Sequence, residues 1–493
     1  MKRNFKYRKS FILLFFSMIF MCQSIVTLVN AESGKTYNEY KKDIIDKIPE
    51  YLEKYRTPGI AIAFIHEGAI DEVYSFGYAD KKTKVHINSN TIFQAASISK
   101  SFTAWGILKL VDSGKISLDD PVEKYLKSWK LPESEYDKDK ITIRSLLTHT
   151  SGINAINYAG YKPGTKLPTV AESLNSNGKL EIKNEPGEKF LYSGAGYEIL
   201  EVLIEDVTGQ TFSEYMEEEI LKPLGMNNSY FEYKPEFNDI MAKPHDVFGK
   251  QMPAYIYAEK AAAGLYTNVT DLSKFVLAGI KGNNGELPGR GVIKQEDIEM
   301  MYEPFKSHYG FGCSIYELTD GNIAVSHGGD NRGWNSGYMT IPNKSEGIVL
   351  LTNSEEGNSV ILNVIDSWTT WNTGERQVFY KKVFYQRDLM RNVAIGLSLV
   401  LIAYLIILVR SFIKQKRNFI SKNNNKKLCN IIKVIVALLL TVGWFVTFYT
   451  GTFFGGFVPA PRLTWGFDYI SIAVELWGFV LLVSALFPKK KRI

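Results

Sequence analysis

The sequence predicts an α+β domain, an antiparallel sheet flanked by helices with a helical subdomain, followed by three transmembrane α-helices. Three observations predict it. Strand patterns occur near the start, over residues 59–78, and again between 309 and 351. Between them, from about Ile141 to Ile280, the periodicity is mainly helical with long loops. Strands at both ends with helices between imply one sheet drawn from both ends of the chain. Past residue 392 the composition turns to apolar runs bounded by Lys and Arg, as membrane spans are.

In chain order, the basic stretch Met1–Lys9 precedes an apolar run from Phe11 to Val29, and Val29-Asn30-Ala31 offers small residues for cleavage. Residues 1–31 read as a secretory signal peptide, with an uncleaved N-terminal anchor as the rival. A globular domain is expected over residues 37–372. Tyr37–Arg56 carries Ile44, Ile45, Ile48 and Leu52 at helical spacing and stops at Thr57-Pro58-Gly59. Gly59–His66 and Ile70–Tyr78 alternate around Glu67-Gly68, which is a hairpin pattern. A helix opening at Ser97 gives out near Ser113-Gly114, and Asp119-Asp120-Pro121 starts a short one. Glu198–Thr208 and Phe212–Ile220 carry apolar stripes that read as core. Strand patterns return at Tyr309–Tyr316, Asn322–Ser326, Gly337–Ile341 and Gly347–Leu351, and a helix over Ser359–Thr370 closes the domain.

A linker over 373–392 then leads to spans at 393–410, 431–450 and 469–487. A basic loop at 411–430, a second loop at 451–468 and a tail at 488–493 separate and end them. The net charge of +6 is misleading as a whole. Sixteen Lys and Arg lie in the first nine residues, in Arg410–Lys427 and in Lys489–Arg492, so the rest sums to about −10. With the domain outside, every basic cluster falls on the cytoplasmic side, as the positive-inside rule asks. The basic residues belong to a cytoplasmic membrane and call for no nucleic acid. An oligomer through the membrane helices stays open. Three cysteines, Cys22, Cys313 and Cys429, lie too far apart in the organisation to form a disulfide framework. The six histidines lack metal-ligand spacing. Neither a metal nor another cofactor is implied.

The chemistry begins at Ser97-Ile-Ser-Lys100. A serine hydroxyl is a weak nucleophile until a base takes its proton. A lysine three residues on shares its helix face, and a helix start favours an alkoxide. The spacing alone decides little, since Ser411-Phe-Ile-Lys414 has it too, in the basic loop. Tyr192-Ser193-Gly194 follows Glu185-Pro186-Gly187, and a phenol beside a lysine can relay protons to a leaving group. His327-Gly328-Gly329-Asp330 ends a strand pattern; its glycines let a substrate approach, and an N–H near Asp330 could pair with that of Ser97 as an oxyanion hole. Taken alone, this stretch also reads as a tight turn.

In this order the three motifs resemble the serine β-lactamase and penicillin-binding-protein superfamily, particularly its class C-like peptidase branch. Thr142–Gly152 (with His149), Pro223-Leu224-Gly225-Met226, Gly264–Thr267 with Asp271-Leu272, and Gly347–Asn353 are similar to further blocks of that branch. The resemblance spans roughly Tyr37 to Thr370. It implies the β-lactamase/transpeptidase-like fold, with Ser97 as acylated nucleophile, Lys100 as base, Tyr192 as acid/base partner and His327–Asp330 on the substrate. His149 is expected to be structural. Gly194 stands where many relatives carry an amide, and His327 replaces a lysine that would bind a carboxylate; both departures argue against an antibiotic-destroying enzyme. With its tail, the chain is similar to membrane-bound D-amino peptidases of the colibactin-maturing type. The expected substrate is therefore a peptide or small molecule containing a D-amino acid. A D-alanyl esterase on teichoic acid and a non-hydrolytic β-lactam or muropeptide receptor are the alternatives.

Overall fold

The computed structural model describes residues 34–154, 158, 160–176, 180–417, 427–443, 452–453, 456–457 and 467–488. The expected signal peptide lies outside these residues. The chain divides into two compact units, one ending at Gln377 and one starting at Val378.

The first unit opens with α1 (Tyr37–Lys54), held at its start by a reciprocal capping box between Thr36 and Glu39, with Tyr40, Ile44 and Ile48 buried. Strands β1 (Gly59–His66) and β2 (Ala69–Asp80) form the expected hairpin, and Glu67 and Gly68 both take positive φ in its turn. The short β3 (Val85–His86) follows, then β4 (Phe93–Ala96) and α2 (Ser99–Asp112). The insertion contains α3 (Ile143–Leu147), α4 (Val170–Ser176), α5 (Gly194–Thr208), α6 (Phe212–Met216) and α7 (Lys260–Ala263). Then come β5 (Leu265–Thr267), α8 (Val269–Ala278), α9 (Gln295–Met301), β6 (Ser314–Glu317), β7 (Ile323–Asn331), β8 (Trp334–Ile341), β9 (Glu346–Thr352) and α10 (Gly357–Thr373).

Seven strands make one antiparallel sheet in the order β3-β2-β1-β9-β8-β7-β6, so the two ends of the domain meet at β1 and β9. Strand β1 is buried on both faces because α8 packs on β1, β2 and β9 while α10 packs on β8 and β9. Helix α2 lies in the core: Phe102 stacks on Phe275 at 3.7 Å between ring centres, and Trp105 is almost fully covered. Burial of each such ring stabilises the fold by roughly 2–3 kcal/mol.

Several expectations need correction. Helix α2 starts at Ser99, not Ser97, because Ala96 takes φ +48 and the chain first makes i to i+3 turns, Ile98 N–H to Ala95 O and Lys100 N–H to Ser97 O. The stretch His327–Asp330 is strand rather than turn: it pairs with Tyr338–Asn335, and the reversal falls at Arg332-Gly333, where Gly333 has φ +85. Strand β6 begins five residues later than its apolar pattern suggested. The short helix after Pro121 is one 3-10 turn, Val122–Lys124. The small sheet β4-β5 was not foreseen.

The second unit starts with α11 (Val378–Ile413), so most of the expected linker is helical. This helix is long and apolar enough to cross a membrane. Also described are α12 (Lys427–Leu438), which continues as one π turn over Leu439–Gly443, and α13 (Phe467–Leu486). Within the unit Trp477 Nε1 donates to Leu397 O at 3.0 Å, and Tyr404 and Ser484 share a 2.6 Å hydroxyl bond. Parts of the expected second span and of both expected loops lie outside the described residues.

Candidate active site

Ser97 sits in the turn from β4 to α2. Its placement comes from the kink at Ala96, a left-handed conformation that costs a residue with a Cβ about 1–2 kcal/mol. The surroundings hold that kink. Ser99 Oγ donates to Ala96 O at 2.6 Å and accepts Leu265 N–H at 3.0 Å, which ties the turn to β5. Ser336 Oγ on β8 donates to Ala95 O at 2.8 Å. Ser97 is left half-buried, while Ser99, Lys100 and Ser101 are buried.

Lys100 lies one turn on with 1% of its surface exposed. Its Nζ is 3.2 Å from Ser97 Oγ and donates to Ala262 O at 2.7 Å. Among the described residues its hydrogen-bond partners are thus a hydroxyl and a main-chain carbonyl. The amine also lies 5.1 Å from the ring centre of Tyr192 and 5.6 Å from that of Tyr197. The structure thus brings Ser97, Lys100 and Tyr192 together. An amine in that place can exchange a proton with Ser97 Oγ, and a phenol beside it can extend the exchange.

The second wall is β7. Strand β6 pairs only as far as Ser326, so His327–Asn331 have β8 on one side and no β6 on the other. Gly329 is needed where it is: a Cβ there would lie 2.1 Å from Ala95 O and 2.3 Å from Ser336 Oγ. Gly328 faces open space, with only Ser336 O at 3.7 Å from its would-be Cβ. Asn331 donates to Gln94 Oε1 at 2.9 Å and Ala263 O at 3.2 Å, fastening the strand end to β4 and α7. Asp330 accepts from Asn335 at 3.1 Å and is solvent-exposed. His327 Nδ1 is 2.6 Å from Gly328 O and therefore donates, leaving Nε2 to accept from the Tyr309 hydroxyl at 2.9 Å. Burial, then the charge of Lys100, pushes the His327 imidazole down to about 3, so it is neutral at pH 7.

Three residues of this site escaped the sequence reading. Tyr309 orients His327. Tyr158 lays its hydroxyl on Gly194, 2.0 Å from where a Cβ would be, and donates to Glu198 at 2.6 Å. It fills the space of the missing amide, and the glycine was the only signal for it. Glu198 is buried, which pushes its carboxyl up to about 8, and nothing in its helical setting distinguished it from core.

The family model described as Beta-lactamase matches residues 44–362. The chain belongs to the beta-lactamase family. Members of that family are serine hydrolases that act through an acyl-enzyme. It is 28% identical over 325 residues to Protein flp of Staphylococcus aureus (strain N315), covering 63% of this chain and 62% of that one. The chain thus spans under two thirds of the length of those staphylococcal relatives. It is 31% identical over 307 residues to a putative penicillin-binding protein, PbpX, of Bacillus subtilis (strain 168), covering 61% of this chain and 73% of the relative. The octameric penicillin-binding protein homologue from Pyrococcus abyssi superposes with a TM-score of 0.60 at 29% identity, over 70% of this chain and 81% of the other.

Proposed function

We propose that this beta-lactamase-family chain is a membrane-anchored, extracytoplasmic hydrolase that cleaves an amide bond in a D-amino-acid-containing peptide through an acyl-enzyme on Ser97. The observation that carries the reading is the 3.2 Å approach of the buried Lys100 amine to Ser97 Oγ, beside Tyr192. The Lys100 amine takes the Ser97 proton as Oγ attacks the carbonyl carbon. The N–H groups of Ser97 and the β7 edge hold the oxyanion. On collapse the C–N bond breaks, and the departing amine takes a proton through Tyr192. Water then attacks the ester with the same residues in reverse, which returns Ser97 and releases the acid.

The unpaired edge at His327–Asn331 favours an extended peptide, which can add to the sheet by main-chain bonds. Neutral His327 supplies no positive charge for a terminal carboxylate, which favours an internal or capped substrate over a free D-alanyl-D-alanine end. The resemblance supplies the D configuration and the outward-facing topology. Turnover of an N-acyl-D-amino amide, a D-Ala-D-Ala peptide and a D-alanyl ester, measured side by side, tests the substrate. Preference for the ester would overturn the amide reading; stable acylation without turnover of any of them would make the chain a receptor. Ser97→Ala should abolish labelling by a fluorophosphonate or fluorescent β-lactam, and Lys100→Ala and Tyr192→Phe should each slow acylation by about 10²-fold. Undiminished labelling of Ser97→Ala would remove Ser97 as nucleophile.

A further inference from the structure

Tyr192 is 38% exposed, and among the described residues its hydroxyl makes no hydrogen bond. Its position is therefore set by its backbone and its ring; the ring also meets Tyr309 at 6.2 Å and His327 at 6.5 Å, but His149 alone enters through both. The carbonyl of His149 accepts Leu191 N–H at 2.7 Å, and His149 Nδ1 accepts Ser193 N–H at 3.1 Å. The two bonds grip the chain immediately before and after Tyr192. The imidazole also lies against the phenol, 4.3 Å between ring centres. Further rings, Tyr197 at 5.2 Å and Tyr309 at 4.8 Å, hold the imidazole in turn. His149 is 1% exposed and takes φ +56, a left-handed backbone uncommon for a residue with a Cβ.

We propose that His149 is a positioning residue for Tyr192, fixing the phenol over Lys100 by accepting Ser193 N–H at Nδ1 and backing the ring. The inference rests on Tyr192 assisting acylation at Ser97. It gives His149 a task different from that of a base. Its Nδ1 lone pair is used by the main chain, so the proton of the neutral ring sits on the buried Nε2. Protonation at Nδ1 would expel Ser193 N–H, and burial, then the charge of Lys100, holds the imidazole neutral, well below its usual range. The bond also reaches further: Ser193 caps α5, accepting Gly196 N–H at 3.3 Å and donating to Asn154 O at 2.8 Å. The helix start and the phenol are thus set from one anchor.

The test is a double-mutant cycle on the full-length chain in detergent micelles, read as acylation rate with a fluorophosphonate probe. His149→Leu removes the acceptor and should slow acylation roughly 10- to 100-fold, as a catalytic group displaced by about 1 Å does, with KM for an amide substrate little changed. His149→Asn offers Oδ1 where Nδ1 was and accepts a left-handed backbone; it should recover most of the rate. In a Tyr192→Phe background His149→Leu should cost less than about threefold, because the hydroxyl it would misplace is gone. An equal loss in both backgrounds, or Asn as damaging as Leu, overturns the inference. Should His149→Leu fail to fold, His149→Gln, which shifts the acceptor by one bond, replaces it in the same cycle. Tyr192→Phe alone tests the underlying reading. Wild-type acylation in that variant removes both roles, whereas a slow Tyr192→Phe with an undiminished His149 effect removes only the positioning role.

Discussion

The paired glycines of β7 make a sharp test, because they are adjacent and face different surroundings. In Gly329→Ala the new methyl would start 2.1 Å from Ala95 O and 2.3 Å from Ser336 Oγ. Neither side can yield cheaply: Ala95 is main chain, and Ser336 Oγ is already bonded to that same carbonyl. Relief to an ordinary contact requires β7 and β4 to part by about 1 Å, and such a shift between catalytic groups lowers the rate by about 10²-fold. Overpacking of this kind also destabilises by about 1–3 kcal/mol. Gly328→Ala meets only Ser336 O, at 3.7 Å, so its stability should stay within about 0.5 kcal/mol of the parent. Its methyl would point towards the space a substrate occupies and should raise KM instead. Denaturant melts give the stabilities, and acylation rates with a small probe give the chemistry. Unaltered acylation in Gly329→Ala, or equal destabilisation by both substitutions, would refute the close approach of β7 to the Ser97 turn.

Three further outcomes follow from the geometry. His327 titrates near 6.5 when unfolded and near 3 when folded, so below pH 6.5 the unfolded chain binds a proton the folded one refuses, and stability falls as pH drops. Between pH 7.5 and 5.0 that loss is roughly 2 kcal/mol; His327→Gln should lessen the drop in denaturant midpoint, and an identical drop would contradict a buried neutral imidazole. Gly194→Asn collides with the Tyr158 hydroxyl and should destabilise by about 1–3 kcal/mol, with Tyr158→Ala in addition recovering part of the loss; additive losses would show that Tyr158 lies elsewhere. For topology, an impermeant thiol reagent outside the cell should label a cysteine introduced at Asn372 and not one at Asn424, and the reverse would overturn the extracytoplasmic assignment.

Local signals survived translation into structure best where one residue type has one use. The Glu67-Gly68 turn, the alternation of β1 and β2 and the helical spacing of Ile44, Ile45, Ile48 and Leu52 marked β1, β2 and α1 to within two residues. Pairing partners were harder. Nothing in Phe93–Ala96 announces a strand, because its partner β5 lies far away in sequence and the two pair over only a few residues. The glycines after His327 read as a turn because glycine serves both for reversal and for close approach. Only the neighbour, Ala95 O, separates the two. At the site the Ser97–Lys100 pair was legible only from its spacing taken together with the Tyr192 and His327 motifs, while Tyr158, Glu198 and Tyr309 were not, since a buried tyrosine or glutamate carries no periodic mark of its own. His149 was visible as a motif, and its partners at 191 and 193 were invisible without the fold.

The sheet that joins the two ends of the domain also sets an order of events during synthesis. His66 and Glu346, hydrogen-bonded to each other at the rim of β1 and β9, are 280 residues apart in the chain. At roughly 5–20 residues per second, the first hairpin waits on the order of 15–60 s for the strand that covers its open edge. Contacts of such long range also slow folding itself. Ser97 and Lys100 are made early, but β7, which walls their cleft, and β8 and β9, which hold β7, arrive last. A nascent or truncated chain that ends before residue 323 thus carries the reactive pair without the strand edge beside it, and one that ends before 346 has that edge without the β9 strand that joins β8 to β1.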